Sequence, residues 1–312
     1  MVTLEDINVA QTRISPFIHR TPIHTCNSLN ELTGAKLYFK CDNFQKAGSF
    51  KIRGATNTVL QLSPEELNHG VITTSSGNHG AALALAATKQ GADVQVVMPN
   101  NTSRIKIQNV ERYGGKIIYC EPNHESRENT LKEMVERTGA IVVHPYNDER
   151  IVAGQGTAAN ELLTDLSSLD AIISPVSGGG LLCGTLLAAK GIDSNIKVYG
   201  AEPMGADDTY RSMQEGRIVP NKRVDTIADG LRAQVGTITF PIIQEMVDEI
   251  IPVSEEAIID SMRMIWERLK IMVEPSSSIV LGGLLSKKEV FNNKKVGLIL
   301  SGGNVDLDNI PW

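Results

Sequence analysis

The sequence predicts an α/β protein with parallel sheets flanked by helices, arranged as two lobes. From Gly70 onward, short apolar runs alternate with helix-length segments, the rhythm of right-handed βαβ units in a parallel sheet. Two of the apolar runs lead into turns of small polar residues that open helices, Ser75-Ser76-Gly77-Asn78-His79-Gly80 and Ser177-Gly178-Gly179-Gly180-Leu181. At 312 residues the chain is long enough to bury more than one core.

In chain order, Thr3 and Asp6 read as a capping box, with Leu4, Ile7, Ala10 and Ile14 as the apolar stripe of a first helix that Pro16 stops. Residues 37–41 alternate like a strand. Ser63-Pro64-Glu65-Glu66 starts another helix, with proline in its first position. Strands are then expected over 71–74, 94–98, 116–120 and 140–143, with helices over 78–90, 103–113 and 125–138. Gly114-Gly115 and Gly139 close the second and third of these helices. After Gly154-Gln155-Gly156 the pattern resumes with strands over 171–176, 198–201 and 296–300 and long helices over 254–270 and 275–285. No internal repeat or low-complexity tract interrupts it. Ligands of open parallel sheets bind beyond the carboxyl ends of the strands, which places a site between the lobes.

Charge and composition narrow the function. A net charge of -6 with no basic block argues against nucleic acid as a partner. The cysteines Cys26, Cys41, Cys120 and Cys183 have no CxxC spacing, so neither a disulfide framework nor a zinc site is expected. No window is apolar enough to cross a bilayer, and the N-terminal residues lack the apolar core of a signal peptide. A soluble, cytoplasmic protein is expected.

The stretch Asn43-Phe44-Gln45-Lys46-Ala47-Gly48-Ser49-Phe50-Lys51-Ile52-Arg53-Gly54 sets a lysine between an aromatic and an isoleucine, after a Gly-Ser turn and before a helical run. An ammonium in apolar surroundings loses solvation, its pKa falls, and its free amine becomes available, as a Schiff-base lysine requires. The two strand-to-helix turns are places where backbone N–H groups collect around anions. A dinucleotide-binding turn is the rival reading of 177–181, but Cys183 stands where the third glycine of G-x-G-x-x-G belongs. A plain glycine turn without a ligand also fits that stretch alone.

Together the three stretches resemble the fold-type II pyridoxal-phosphate (PLP) enzymes, and within them the serine/threonine dehydratase and serine racemase family, with 3-hydroxyaspartate dehydratases as near relatives. The resemblance runs from about Thr21 to the C-terminus. It implies a smaller lobe, residues 70–147, inserted into a larger PLP-binding one made of 1–69 and 148–312. It implies that Lys51 holds the cofactor and takes the substrate's Cα proton from one face, beside Phe50. Ser177, Gly178, Gly179, Gly180 and Leu181 would cradle the phosphate, Asn78 would bond the phenolic oxygen, and Ser301 would face the pyridine nitrogen. A hydroxyl there leaves that nitrogen close to neutral, which favours elimination or reprotonation over transamination. Ser75, Ser76, Asn78 and His79 would surround the substrate carboxylate, and Ser76 stands where serine racemases place a second proton carrier on the opposite face. Arg127 would lie near the substrate's distal group, able to pair with a β-carboxylate.

By the same resemblance, Glu202, Ala206 and Asp208 match a loop that binds Mg²⁺, or Ca²⁺ or Mn²⁺. Lys46, Asn27, Tyr119 and Asn304 match positions that touch ATP in some relatives, but Ala81 and Ala47 replace a glutamine and a threonine there, which argues against ATP as an effector. Feedback by isoleucine is not expected, because the sequence stops at Trp312 without a C-terminal sensing domain. The implied assembly is a homodimer, and the implied substrates are L-serine, with L-threonine or 3-hydroxyaspartate as alternatives. The implied reactions are racemisation and β-elimination to pyruvate and ammonia; an L-threonine/L-serine or 3-hydroxyaspartate ammonia-lyase is the alternative. Cysteine synthases share the fold but carry Lys-Asp-Arg where this chain has Lys51-Ile52-Arg53, and a non-enzymatic binding protein is disfavoured by the intact Lys51, Ser301 and glycine turn.

Overall fold

The computed structural model describes residues 2–75, 77–102 and 104–312. Helix α1 (Leu4–Ile14) is closed by reciprocal bonds between Thr3 and Asp6 and buries Ile7, Ala10 and Ile14. Strand β1 (Ile23–His24), helix α2 (Asn27–Thr33) and strand β2 (Lys36–Cys41) follow. Helix α3 (Lys51–Val59) begins at Lys51 itself, and α4 (Pro64–His69) is capped by Ser63 and Glu66. Then come β3 (Val71–Thr74), α5 (Asn78–Thr88), β4 (Val94–Pro99), α6 (Arg104–Arg112), β5 (Lys116–Cys120), α7 (His124–Thr138) and β6 (Ile141–Val142). The rest of the chain supplies α8 (Glu149–Asp165), β7 (Ala171–Pro175), α9 (Gly180–Ile192), β8 (Lys197–Pro203), α10 (Asp208–Glu215), α11 (Thr239–Met246) and β9 (Glu249–Val253). It ends with α12 (Glu255–Leu269), α13 (Pro275–Ser286), α14 (Lys288–Phe291) and β10 (Lys295–Leu300).

Two sheets result. One is four-stranded, in the order β5-β4-β3-β6, and all its pairs are parallel. The other, β1-β2-β10-β7-β8-β9, is parallel except where β1 meets β2. It draws strands from both sides of the 71–142 segment, so the chain leaves the larger sheet, builds the smaller one and returns. Apolar clusters cover both faces of each sheet, which is why the central strands β7 and β10 read as unbroken apolar runs rather than alternating ones.

One expectation needs refining. Residues 154–156, after which the strand-helix pattern is expected to resume, lie inside the long helix α8, with both glycines at close helix crossings. A Cβ at Gly154 would stand 2.6 Å from the Cα of Gly54 on α3, and one at Gly184 on α9 would meet the Gly156 backbone at 2.4 Å. The glycines therefore set how near α3 and α9 can approach α8. The other side of α3 buries Ile52, Ala55 and Val59 in the cluster that includes the alanines of α5. Helix α3 is thus wedged between the two sheets.

A dry ionic cluster fixes this helix. Arg53, fully buried, donates to Asp42 (2.6 and 2.9 Å), to Glu161 (2.8 and 3.0 Å) and to Thr157 (3.1 Å). Lys40, also fully buried, donates to Glu161 at 2.6 Å and to the Thr21 carbonyl at 2.7 Å. Two cations face two carboxylates. Burial alone would raise the Asp42 carboxyl, but the Arg53 guanidinium holds it below the usual range.

Candidate active site

The site lies where the carboxyl ends of both sheets meet. Strand β10 runs out at Leu300 into Ser301 and Gly302, and the segment before α3 pairs with it there. Phe50 N–H donates to the Ser301 carbonyl (2.9 Å), and Gly303 N–H to the Gly48 carbonyl (2.9 Å). This clamp delivers Lys51 to the first position of α3. Its Nζ donates to the Pro145 carbonyl at 2.9 Å and lies 5.2 Å from the centroid of the Phe50 ring. Burial pushes the amine down to about 8, against the pull of the Glu274 carboxyl. Ser301 is buried beside the clamp, 3% exposed.

The turn after β7 enters α9 with Gly179 in the left-handed region, φ +92°. The Thr239 side chain lies 2.7 Å from where a Cβ would sit on that glycine, so the position is closed to other residues twice over. Among the described residues, the N–H groups of Gly178, Gly179, Gly180 and Leu181 find no acceptor within the chain. Those of Gly180 and Leu181 are first-turn donors that no helix can satisfy internally. The Ser177 hydroxyl holds the turn by accepting from Ala233 N–H (3.0 Å) and donating to the Ala233 carbonyl (2.9 Å). The Tyr146 ring covers the turn, 2.3 Å from a Cβ built on Gly178.

The turn after β3 is made differently. Ser75 Oγ accepts from the N–H groups of Gly77 (3.3 Å) and Gly80 (3.2 Å), so it closes the start of α5. Ser76 lies outside the described residues. Asn78, the first residue of α5, donates Nδ2 to Glu274 Oε1 (2.8 Å) and accepts at Oδ1 from Asn304 Nδ2 (2.9 Å). His79 is buried with Nε2 3.2 Å from the Val143 carbonyl and no partner for Nδ1. Burial and the nearby Lys51 push its pKa down to about 3.

Three participants carry no signal in the sequence. His144 Nδ1 accepts from Asn147 N–H (2.8 Å), and burial with Lys51 nearby pushes it down to about 4. Tyr146 stacks edge-on against it, with ring centroids 4.6 Å apart. Glu274, 3% exposed, sits just before α13, where Glu-Pro looks like an ordinary helix start. Asn304, matched in sequence to an ATP contact, joins them: its Nδ2 also donates to the Ala47 carbonyl (2.8 Å), so its amide is engaged inside this network. The other positions matched to ATP contacts are dispersed. Lys46 Nζ donates to the Phe17 carbonyl (2.6 Å), Asn27 is exposed at the start of α2, and Tyr119 is exposed at the end of β5.

Arg127 stands in the first turn of α7 with Nε buried and unpartnered, its charge felt at Cys120. Among the described residues, no hydrogen bond or ion pair joins it to Lys51, Asn78 or the glycine turn. Glu202, at the end of β8, accepts from the N–H groups of Thr209 (2.9 Å) and Tyr210 (2.8 Å) at the start of α10. Asp208 accepts from Val235 N–H (2.8 Å) and Asn221 Nδ2 (2.7 Å). Both carboxyls are buried, and Ala206 is buried between them in sequence. Burial, with Asp208 beside it, pushes Glu202 up to about 8, and burial pushes Asp208 up to about 6. Among the described residues no three His, Cys, Asp or Glu side chains gather around one point. No helix there is long and apolar enough to cross a membrane.

A buried amine of lowered pKa, a cradle of unpaired N–H groups and a buried hydroxyl fit a phosphorylated aldehyde cofactor. Comparison with known proteins agrees. The sequence pattern of pyridoxal-phosphate dependent enzymes matches residues 14–302. The chain is 48% identical over 314 residues to a serine racemase of Dictyostelium discoideum, spanning 99% of this chain and 97% of that one. It is 46% identical over 310 residues to a beta-hydroxyaspartate dehydratase of Paracoccus denitrificans, spanning 99% and 98%. The solved structure of maize serine racemase superimposes with a TM-score of 0.97 at 46% identity, over 98% of this chain and 95% of that one. The chain belongs to the family of pyridoxal-phosphate dependent enzymes.

Proposed function

We propose that the protein is a serine racemase that also eliminates water from L-serine, with Lys51 and Ser76 as the two catalytic residues. The observation that carries the reading is the Lys51 amine, desolvated at the mouth of the cleft, with its pKa lowered to about 8. Bound there, pyridoxal phosphate would supply the sink for charge developing at the substrate's Cα. The N–H groups of Gly178 to Leu181 would bind its phosphate. The Ser301 hydroxyl would hold its ring nitrogen without charging it, and Phe50 would pack beside the ring. Lys51 takes the Cα proton of L-serine on its own face. Ser76 returns a proton on the other face to give D-serine, while loss of the β-hydroxyl gives pyruvate and ammonia. Ser75 and Asn78 hold the substrate's carboxylate end, beside His79, whose ring stays neutral.

Arg127 favours a second reading. An unpartnered, buried guanidinium nitrogen suits a β-carboxylate, and a dehydratase of 3-hydroxyaspartate would present one. The test is chiral product analysis of the PLP-loaded protein with L-serine and Mg²⁺, scoring D-serine and pyruvate together. D-serine that disappears in Ser76→Ala while pyruvate persists is the expected result. Pyruvate without D-serine would make the protein a dehydratase, and faster turnover of 3-hydroxyaspartate would then identify its substrate.

Glu202, Asp208 and the Ala206 carbonyl are the ligands we assign to Mg²⁺, with Ca²⁺ or Mn²⁺ as substitutes. Neither carboxyl has an ion-pair partner among the described residues, and each keeps lone pairs beyond its N–H bonds. The cation would brace the 203–235 segment rather than take part in the reaction. Added Mg²⁺ should raise the melting temperature of the wild type and leave Glu202→Ala unmoved; an equal rise in both would place the ion elsewhere.

A further inference from the structure

Glu274 is a carboxyl, buried against Asn78, that the chemistry above leaves unused. Its Oε1 accepts from Asn78 Nδ2 at 2.8 Å, and the Asn304 backbone N–H faces it. Both amide hydrogens of Asn304 are committed, one to the Ala47 carbonyl (2.8 Å) and one to Asn78 Oδ1 (2.9 Å). The Asn78 carbonyl must therefore turn toward Asn304 and its amino group toward Glu274. One amino hydrogen bonds the carboxyl, and the second has no acceptor among the described residues.

Charge sharpens the point. Around Glu274 stand Asp229, on the turn before α11, Lys106 on α6, and Lys51 on α3; Lys106 and Asp229 pair with each other at 2.7 Å. His79 and His144 face Lys51 and stay neutral at neutral pH. Burial, reinforced by Asp229, pushes the Glu274 carboxyl up to about 8, and the Asn78 bond pulls it back. At neutral pH the carboxyl is therefore held mostly in its neutral form, in which Oε1 still accepts from Asn78 Nδ2.

We propose that Glu274 is a positioning residue of the site: its carboxyl oxygen turns the Asn78 amide so that an N–H faces the cleft. The proposal rests on Lys51 being the lysine that binds the cofactor. Two variants test it. Glu274→Gln keeps an acceptor for Asn78, and Glu274→Ala removes it.

The experiment is capture of PLP by the cofactor-free protein, followed by visible absorption, with melting temperature recorded for each variant. Glu274→Gln should hold PLP affinity within about threefold of the wild type, because it keeps the acceptor that orients Asn78. Glu274→Ala should bind PLP about tenfold more weakly, the worth of one buried hydrogen bond. Unchanged affinity in Glu274→Ala overturns the proposal; if that variant fails to fold, rescue of PLP affinity by Glu274→Gln against Glu274→Asp decides it. Capture of no PLP by the wild type would overturn the cofactor reading and this one together, whereas normal capture without D-serine formation leaves this one standing.

Discussion

Lys51 and Arg53 are two residues apart on one helix, both surrounded by titratable groups, and their surroundings could hardly differ more. Arg53 is matched. Two carboxylates and two cations share bonds of 2.6 to 3.0 Å, and the pairing holds Asp42 and Arg53 in their charged forms. Lys51 is unmatched. Its one hydrogen bond goes to a neutral carbonyl, two histidines beside it are pushed below the usual range, and the carboxyl of Glu274 is pushed above it. Burial costs both clusters solvation; only the first recovers it through pairing. Groups left close to their neutral forms can accept and release protons near neutral pH, whereas paired ions cannot. The same helix thus carries its anchor and its reactive group side by side.

The contrast is open to direct test. Replacing Arg53 with Met strands Asp42 and Glu161 with one cation between them, and unfolding stability should fall by about 3–5 kcal/mol. Lys51→Met should change the stability of the cofactor-free protein by less than about 1 kcal/mol, since it removes one bond and one poorly solvated charge. Equal losses in chemical denaturation would erase the distinction between the two clusters.

The histidines give a smaller effect with a defined sign. His79 is held at about 3 and His144 at about 4 in the folded chain, below the ordinary value of 6.5. On acidification below pH 6.5 the unfolded chain takes up these protons and the folded one does not. Each histidine then removes stability at up to about 1.4 kcal/mol per pH unit, until the folded value is reached. Urea unfolding of wild type and His79→Gln at pH 7 and pH 5 isolates one of them. The variant should lose less stability between the two pH values, and parallel losses would show that His79 ionises freely in the fold.

Much of the fold was written in local pattern. The Thr3 capping box, the alternation from Gly70 to Val143 and the apolar runs over 171–176 and 296–300 follow from period and end signals, because those need only neighbouring residues. Two-residue strands such as β1 carry no period, and β9 was hidden because Pro252 breaks its pattern. The glycines of α8 misled for a related reason: a glycine at a helix crossing looks in sequence like one in a turn, and only its neighbour across the gap tells them apart.

The site divides in the same way. Lys51, the glycine turn and Asn78 were singled out because each opens a helix, and Ser301 because it follows the end of a strand, places where local sequence constrains the backbone. Glu274, His144 and Tyr146 were not, since nothing near them in sequence marks them, and Asn304 was matched to ATP rather than to Asn78. They matter through what faces them from elsewhere: Asn78 across 196 residues for Glu274, and the Gly178 turn for Tyr146. Sequence alone determined which groups could react and the backbone turns that present them. Tertiary structure decided how each is charged, because desolvation and pairing depend on neighbours that only folding brings within a few ångströms.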